Sequence, residues 1–158
     1  MSGRPPAWDT LDAPQEPGGS AGRDGRDGPP AKIRALLAAL GDPHLRLRVV
    51  HVAGSVGKGA VSLLIARALQ ASGRRVGLYT SPHLIRVEER FDLDGAPVAS
   101  GRLAQILAAV DAQVPGEPPG LTPFERLTAA AFLLFAEEGV EWAVVEAGLG
   151  GRFDATNV

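Results

Sequence analysis

The sequence predicts an α/β fold, a three-layer domain of the P-loop type built on a mainly parallel sheet. Two observations predict it. From Ala31 onward, short β-branched runs alternate with helix-length amphipathic segments, and a glycine-rich loop joins the first run to the helix that follows. Such alternation yields βαβ units, whose crossover helices cover the faces of a parallel sheet.

The elements follow in order. AKIRALLAALG places Ile33, Leu36, Leu37 and Leu40 on one helical face and stops at Gly41. LRVVHVAG reads as a short buried strand over 48–53, because its β-branched residues run almost unbroken into a glycine turn. Val61, Leu64, Ile65, Ala68 and Leu69 then recur at helical spacing and predict a helix with that face inward, closed by Gly73. RRVGLYT predicts a second strand over 75–80. SGRLAQILAAVDAQV predicts a helix carried by Leu103, Ile106, Leu107 and Val110, and TPFERLTAAAFLLFAEEG predicts another. EWAVVEAG predicts a strand over 142–146, parallel to the other two. No internal repeat is visible.

Composition narrows the function. A chain of 158 residues with 45% apolar content supports one ordinary core. A net charge of −2 supplies no basic face for nucleic acid. There are no cysteines, which excludes disulfides, thiolate metal sites and cysteine nucleophiles. The start lacks an apolar signal core, and no apolar run reaches the length of about 18 residues that a membrane span needs. The expectation is a soluble, cytoplasmic monomer that binds neither nucleic acid nor membrane. Residues 1–30 hold six Pro and six Gly and include GRDGRDGPP. So few large apolar side chains do not offset the entropy of ordering, and a flexible leader is expected ahead of a single domain over 31–158.

The loop after the first strand reads Gly54, Ser55, Val56, Gly57, Lys58, Gly59. Phosphate binding needs several backbone N–H groups aimed at one point, and glycines let the backbone approach. The helix N-terminus adds partial positive charge, and Lys58 can reach the outer phosphates. The longer G-x-x-x-x-G-K-[ST] pattern is not met, since position 52 is Val; the shorter G-x-x-G-K form stands here. A glycine turn with a surface lysine would read the same in isolation. Glu146, however, ends the apolar run WAVVE, and Ser81 follows the second strand. Ligands of open parallel sheets collect at such carboxyl ends, and these two oxygens suit Mg²⁺ beside phosphates. Thr122-Pro123-Phe124-Glu125 reads as a capping box with Pro at the first helical position.

The runs HVAGSVGKGAVS, GLYTSPHLIRVEERF, LTPFERLTAAAFLLF and VVEAGLGGRFDATNV, in this order and at these spacings, resemble the folylpolyglutamate synthase/dihydrofolate synthase family of the Mur ligase superfamily. The resemblance covers 31–158. It implies an ATP-dependent ligase: ATP phosphorylates a carboxylate, and the amine of L-glutamate attacks the acyl phosphate. Dihydropteroate, folylpolyglutamates or both would be the acceptors. It implies that residues 54–59 bind ATP, that Ser81 and Glu146 hold Mg²⁺, and that Thr122, Pro123, Phe124, Glu125 and Phe153 line the pterin pocket. It implies no protein nucleophile. His83 belongs to the matched run without a mechanism that needs its imidazole.

The chain departs from the family in three places. The family's loop reads G-T-N-G-K-G-S, against Ser55, Val56 and Ala60 here. Residues before Ala31 match only loosely, with Lys32 where an arginine is usual. The family's histidine Mg²⁺ ligand, modified lysine and glutamate-binding domain have no counterpart up to Val158. The domain is therefore expected to be an incomplete Mur-ligase central domain without ligase activity by itself. A non-catalytic P-loop-like remnant that binds a nucleotide or a partner is the competing reading.

Overall fold

The structure, a computed structural model, describes residues 31–113 and 121–158. The expected leader, and Val114 at the end of the expected third helix, lie outside the described residues. The elements are α1 (Ala31–Ala39), β1 (Arg48–Val52), α2 (Lys58–Ala71), β2 (Val76–Tyr79), β3 (Phe91–Leu93), β4 (Ala96–Pro97), α3 (Ser100–Ala112), α4 (Pro123–Glu137) and β5 (Trp142–Glu146). Short 3₁₀ turns stand at Pro43–Arg46 and Val87–Arg90. No helix among the described residues is long and apolar enough to cross a membrane.

The sheet order is β1-β5-β2-β3-β4. β5 pairs in parallel with both β1 and β2, as the alternation of strands and helices requires. Register places Val52 beside Glu146, and Tyr79 beside Val145, so the three strands end at nearly one level. β3 and β4 add an antiparallel hairpin that the sequence reading did not include. Its turn is Asp94-Gly95, both at positive φ (51° and 101°), the combination that lets a two-residue turn follow the twist of its strands.

Side chains alternate between the two faces of the sheet. Tyr79, Phe91, Ala143 and Val145 join the large core cluster with α1, α3 and α4. Val52, Val76, Leu78 and Val144 form a smaller cluster with α2. Helices therefore cover both faces, giving three layers. The faces read for α1 and α3 are the buried ones: Ile33, Leu36 and Leu37, then Leu103, Ile106, Leu107 and Val110.

Two expectations need correction. In α2, Val61, Leu64 and Ala68 face outward, and Leu64 is 70% exposed. The inward stripe is Ser62, Ile65, Ala66 and Leu69. It continues from Gly59, which lies against Glu146, and the small residues at 62 and 66 let the helix approach the sheet closely. β1 is likewise not a buried strand. It occupies an edge of the sheet, and Arg48 and Val49 are exposed.

Candidate nucleotide and metal site

Three loops meet at the carboxyl ends of β1, β5 and β2. The first joins β1 to α2. Gly57 caps α2 in the left-handed region (φ 76°), a conformation glycine adopts without steric cost, and its carbonyl accepts the first helical bond from Val61 N–H at 3.0 Å. Lys58 is thus the first helical residue. The first-turn amides of α2 have no intrahelical acceptors and leave partial positive charge at the loop. Val56 is 90% exposed, so its apolar side chain does not enter the loop.

Glu146 ends β5 and is buried, at 5% exposure. Its Oε2 accepts the Ser81 backbone N–H at 3.0 Å. A Cβ on Gly59 would stand 3.5 Å from the same oxygen, so the first turn of α2 lies directly against the carboxylate. Gly59, Ser81 and Glu146 border an open cavity of about 320 Å³, together with Thr80, Pro82, Glu89 and Asp92. The first turn of α2 at Gly59, the Ser81 loop and the Glu146 carboxylate converge here.

The described residues contain no cluster of three or more His, Cys, Asp or Glu able to hold a metal ion. One carboxylate and one hydroxyl nevertheless suit Mg²⁺, which keeps several waters and shares its remaining positions between one or two carboxylates and substrate phosphates. An ion held only by a protein cage would not fit this donor set.

The residues matched to a pterin pocket lie at the start of α4 and on the loop after β5, and both Phe124 and Asp154 stand against Gly148. Thr122 caps α4: its Oγ1 accepts Glu125 N–H at 3.2 Å, and Glu125 Oε2 accepts Thr122 N–H at 2.7 Å and its hydroxyl at 3.0 Å. Pro123 occupies the first helical position. Phe124 stacks on Tyr79 with centroids 6.2 Å apart and lies against Gly148, where a Cβ would meet its Cζ at 2.8 Å. Phe153 is 54% exposed, and its ring neighbour is the Arg152 guanidinium at 5.5 Å.

Sequence reasoning missed the groups that shape these loops. Buried Asp154 holds the loop after β5: Oδ2 accepts Leu149 N–H at 2.8 Å, and Oδ1 accepts Thr156 N–H at 3.0 Å and the Thr156 hydroxyl. That hydroxyl has one proton, so His51 Nε2–H is the donor in its 2.8 Å bond to Thr156 Oγ1. Gly151 brings this loop against Ala53, at 3.3 Å for an added Cβ. Tyr79 lies beneath Phe124, its phenol pushed up to about 12 by burial.

No protein-family model matches the chain. The chain is 40% identical over 135 residues to a dihydrofolate synthase/folylpolyglutamate synthase of Bacillus subtilis, covering 80% of this chain and 31% of that protein. It is 38% identical over 128 residues to a dihydrofolate synthetase of Saccharomyces cerevisiae, covering 81% and 30%. Among solved structures, Thermotoga maritima folylpolyglutamate synthase superposes with a TM-score of 0.78 at 38% identity, covering 83% of this chain and 32% of that one. The Mycobacterium tuberculosis folylpolyglutamate synthase complexed with ADP gives 0.77 at 38% identity, covering 80% and 30%. The chain thus spans about 30% of the length of these relatives.

Proposed function

Because the chain belongs to the folylpolyglutamate synthase/dihydrofolate synthase family, we propose that it is the ATP-binding part of a ligase that adds L-glutamate to dihydropteroate, to folylpolyglutamates or to both. The observation that carries the reading is the meeting of Gly59, Ser81 and Glu146 at three loop ends, beside a glycine loop that opens a helix. Relatives solved with ADP, and with AMPPCP and folate together, support ATP and folate as ligands.

Phosphoryl transfer to a carboxylate asks mainly for positioning and charge neutralisation. In this reading the amides of 54–59 cradle the phosphates, and Lys58 supplies the cation. Ser81 and Glu146 hold Mg²⁺, which when bound spreads the charge of the transferring group. Thr122, Pro123, Phe124, Glu125 and Phe153 border the acceptor, with Phe124 fixed by Tyr79 and Gly148. Val56 and Ala60 leave the backbone cradle intact and cost about 1 kcal/mol for each hydrogen bond they fail to make.

Residues 1–158 alone are expected to bind nucleotide without turnover. Amide formation needs an acyl phosphate and an amine held within near-attack distance, and the groups gathered here are those of phosphate and ion binding. Two measurements test the reading. Lys58→Ala should weaken ATP binding at least tenfold, and an unchanged affinity would remove this loop from the site. A product assay with dihydropteroate, ATP, Mg²⁺ and L-glutamate should show no ligation by this chain; turnover would move catalysis into it.

A further inference from the structure

The loop that carries Ser81 is tied almost residue by residue. Thr80 N–H donates to Arg90 O at 3.1 Å, and Ser81 N–H to Glu146. Pro82 has no N–H to place. His83 Nδ1 accepts Arg90 Nε–H at 2.8 Å. The backbone N–H groups of Leu84, Ile85 and Arg86 converge on the Glu89 carboxylate at 2.9, 3.2 and 2.8 Å. Two consecutive residues therefore hold 80, 83, 84, 85 and 86, while Ser81 is held from across the cavity.

Apolar burial does not explain this conformation. Leu84 is 91% exposed and Ile85 is 82% exposed, so the polar ties fix the loop. Arg90 is buried at 4% exposure with Nη1 unpartnered, a costly arrangement for a plain connection between two strands. Glu89 also borders the cavity that Ser81 and Glu146 share.

We propose that Glu89 and Arg90 are positioning residues, which lock residues 80–86 so that Ser81 stands against Glu146 for ion and phosphate binding. The proposal rests on the reading of Ser81 and Glu146 as the Mg²⁺ side of the site. Removing a carboxylate that orients a ligand-bearing loop costs on the order of tenfold or more in metal affinity. The effect should fall on the Mg²⁺-dependent part of nucleotide binding, because the cradle at 54–59 belongs to a different loop.

The test is calorimetric titration of AMPPCP into the 158-residue chain, with and without Mg²⁺, for wild type, Glu89→Ala, Glu89→Gln and Arg90→Lys. Mg²⁺ should tighten binding to wild type. Glu89→Ala should lose about tenfold of that tightening, with Mg²⁺-free affinity within about twofold of wild type. Glu89→Gln, which keeps the shape with one acceptor oxygen, should fall between them. If Glu89→Ala does not fold, Glu89→Gln decides by the same split. An intact Mg²⁺ effect in every variant, or equal losses with and without Mg²⁺, overturns the proposal. A wild-type chain that ignores Mg²⁺ overturns the underlying reading as well, and the wild-type titration alone reveals it.

Discussion

Gly77 of β2 lies directly under the ring of Phe135 from α4. A Cβ at position 77 would stand 2.6 Å from Phe135 Cδ1 and 2.7 Å from its Cε1. Contacts this short require the ring or the strand to move, and both belong to the main core. Gly77→Ala should therefore destabilise by about 1–3 kcal/mol in urea unfolding. Combining it with Phe135→Leu should recover part of the loss. Strict additivity of the two changes would show that the contact is not the cause.

Ser62 gives the opposite prediction. It is fully buried between α2 and the sheet, and its Oγ has no hydrogen-bond partner. A buried hydroxyl without a partner costs about 1–3 kcal/mol relative to an apolar group of similar shape. Ser62→Ala should raise the urea midpoint. A lowered midpoint would mean that the hydroxyl is satisfied.

At the start of α4, the capping box of Thr122 and Glu125 makes reciprocal bonds. Thr122→Ala should cost about 1 kcal/mol of stability, and Thr122→Ser should restore most of it. The Ser variant then separates the cap from the pocket: folate binding reduced at wild-type stability would assign the threonine methyl to the ligand. Wild-type folate binding would show that the threonine methyl does not touch the ligand.

Two side chains should contribute to the acid side of the stability curve in separate windows. Burial holds His44 below its ordinary 6.5, against the pull of Asp42, while Arg34 also lowers it. The unfolded chain then takes this proton first, so stability is present above 6.5 and declines as pH falls below it. The Arg86 hydrogen bond, helped by Ser100, holds Glu88 down to about 2 from 4.5. Its contribution is present above 4.5 and is lost as pH falls toward 2. Urea midpoints across pH should flatten in the first window for His44→Phe and in the second for Glu88→Gln. Unchanged slopes would assign acid sensitivity elsewhere.

What the sequence revealed depended on how local the determining interaction is. The inward face of α3 was legible because Leu103, Ile106, Leu107 and Val110 form one stripe of large apolar side chains among small and polar neighbours. α2 was misread because two adjacent faces are apolar. Ile65 and Leu69 pack inward as read, but Val61 and Leu64 are as hydrophobic and face out, while Gly59 stands against Glu146 on the inward side. The β3–β4 hairpin carried a readable signal in Asp94-Gly95. Gly59, Ser81 and Glu146 could be assembled on paper because each lies at or just beyond the carboxyl end of a strand. The bond from His51 to Thr156 joins residues far apart in sequence, and the Glu89 ties run through backbone amides that no side-chain pattern reveals.

The place of β5 in the sheet governs the order in which this molecule can assemble. β1 and β2 do not pair with each other; β5, which follows both in the chain, is inserted between them. Closing such distant pairings is entropically slow compared with forming local helices and hairpins. The loop that leads into Gly59 and the Ser81 loop therefore share no carboxylate until β5 docks and brings Glu146 to both. Completion of the parallel sheet and, in the proposed reading, acquisition of nucleotide-binding geometry are then one event. Trp142, in register with Arg48 on one side and Val76 on the other, sits on the strand that makes it. Its fluorescence during refolding should rise or fall in step with the appearance of nucleotide binding.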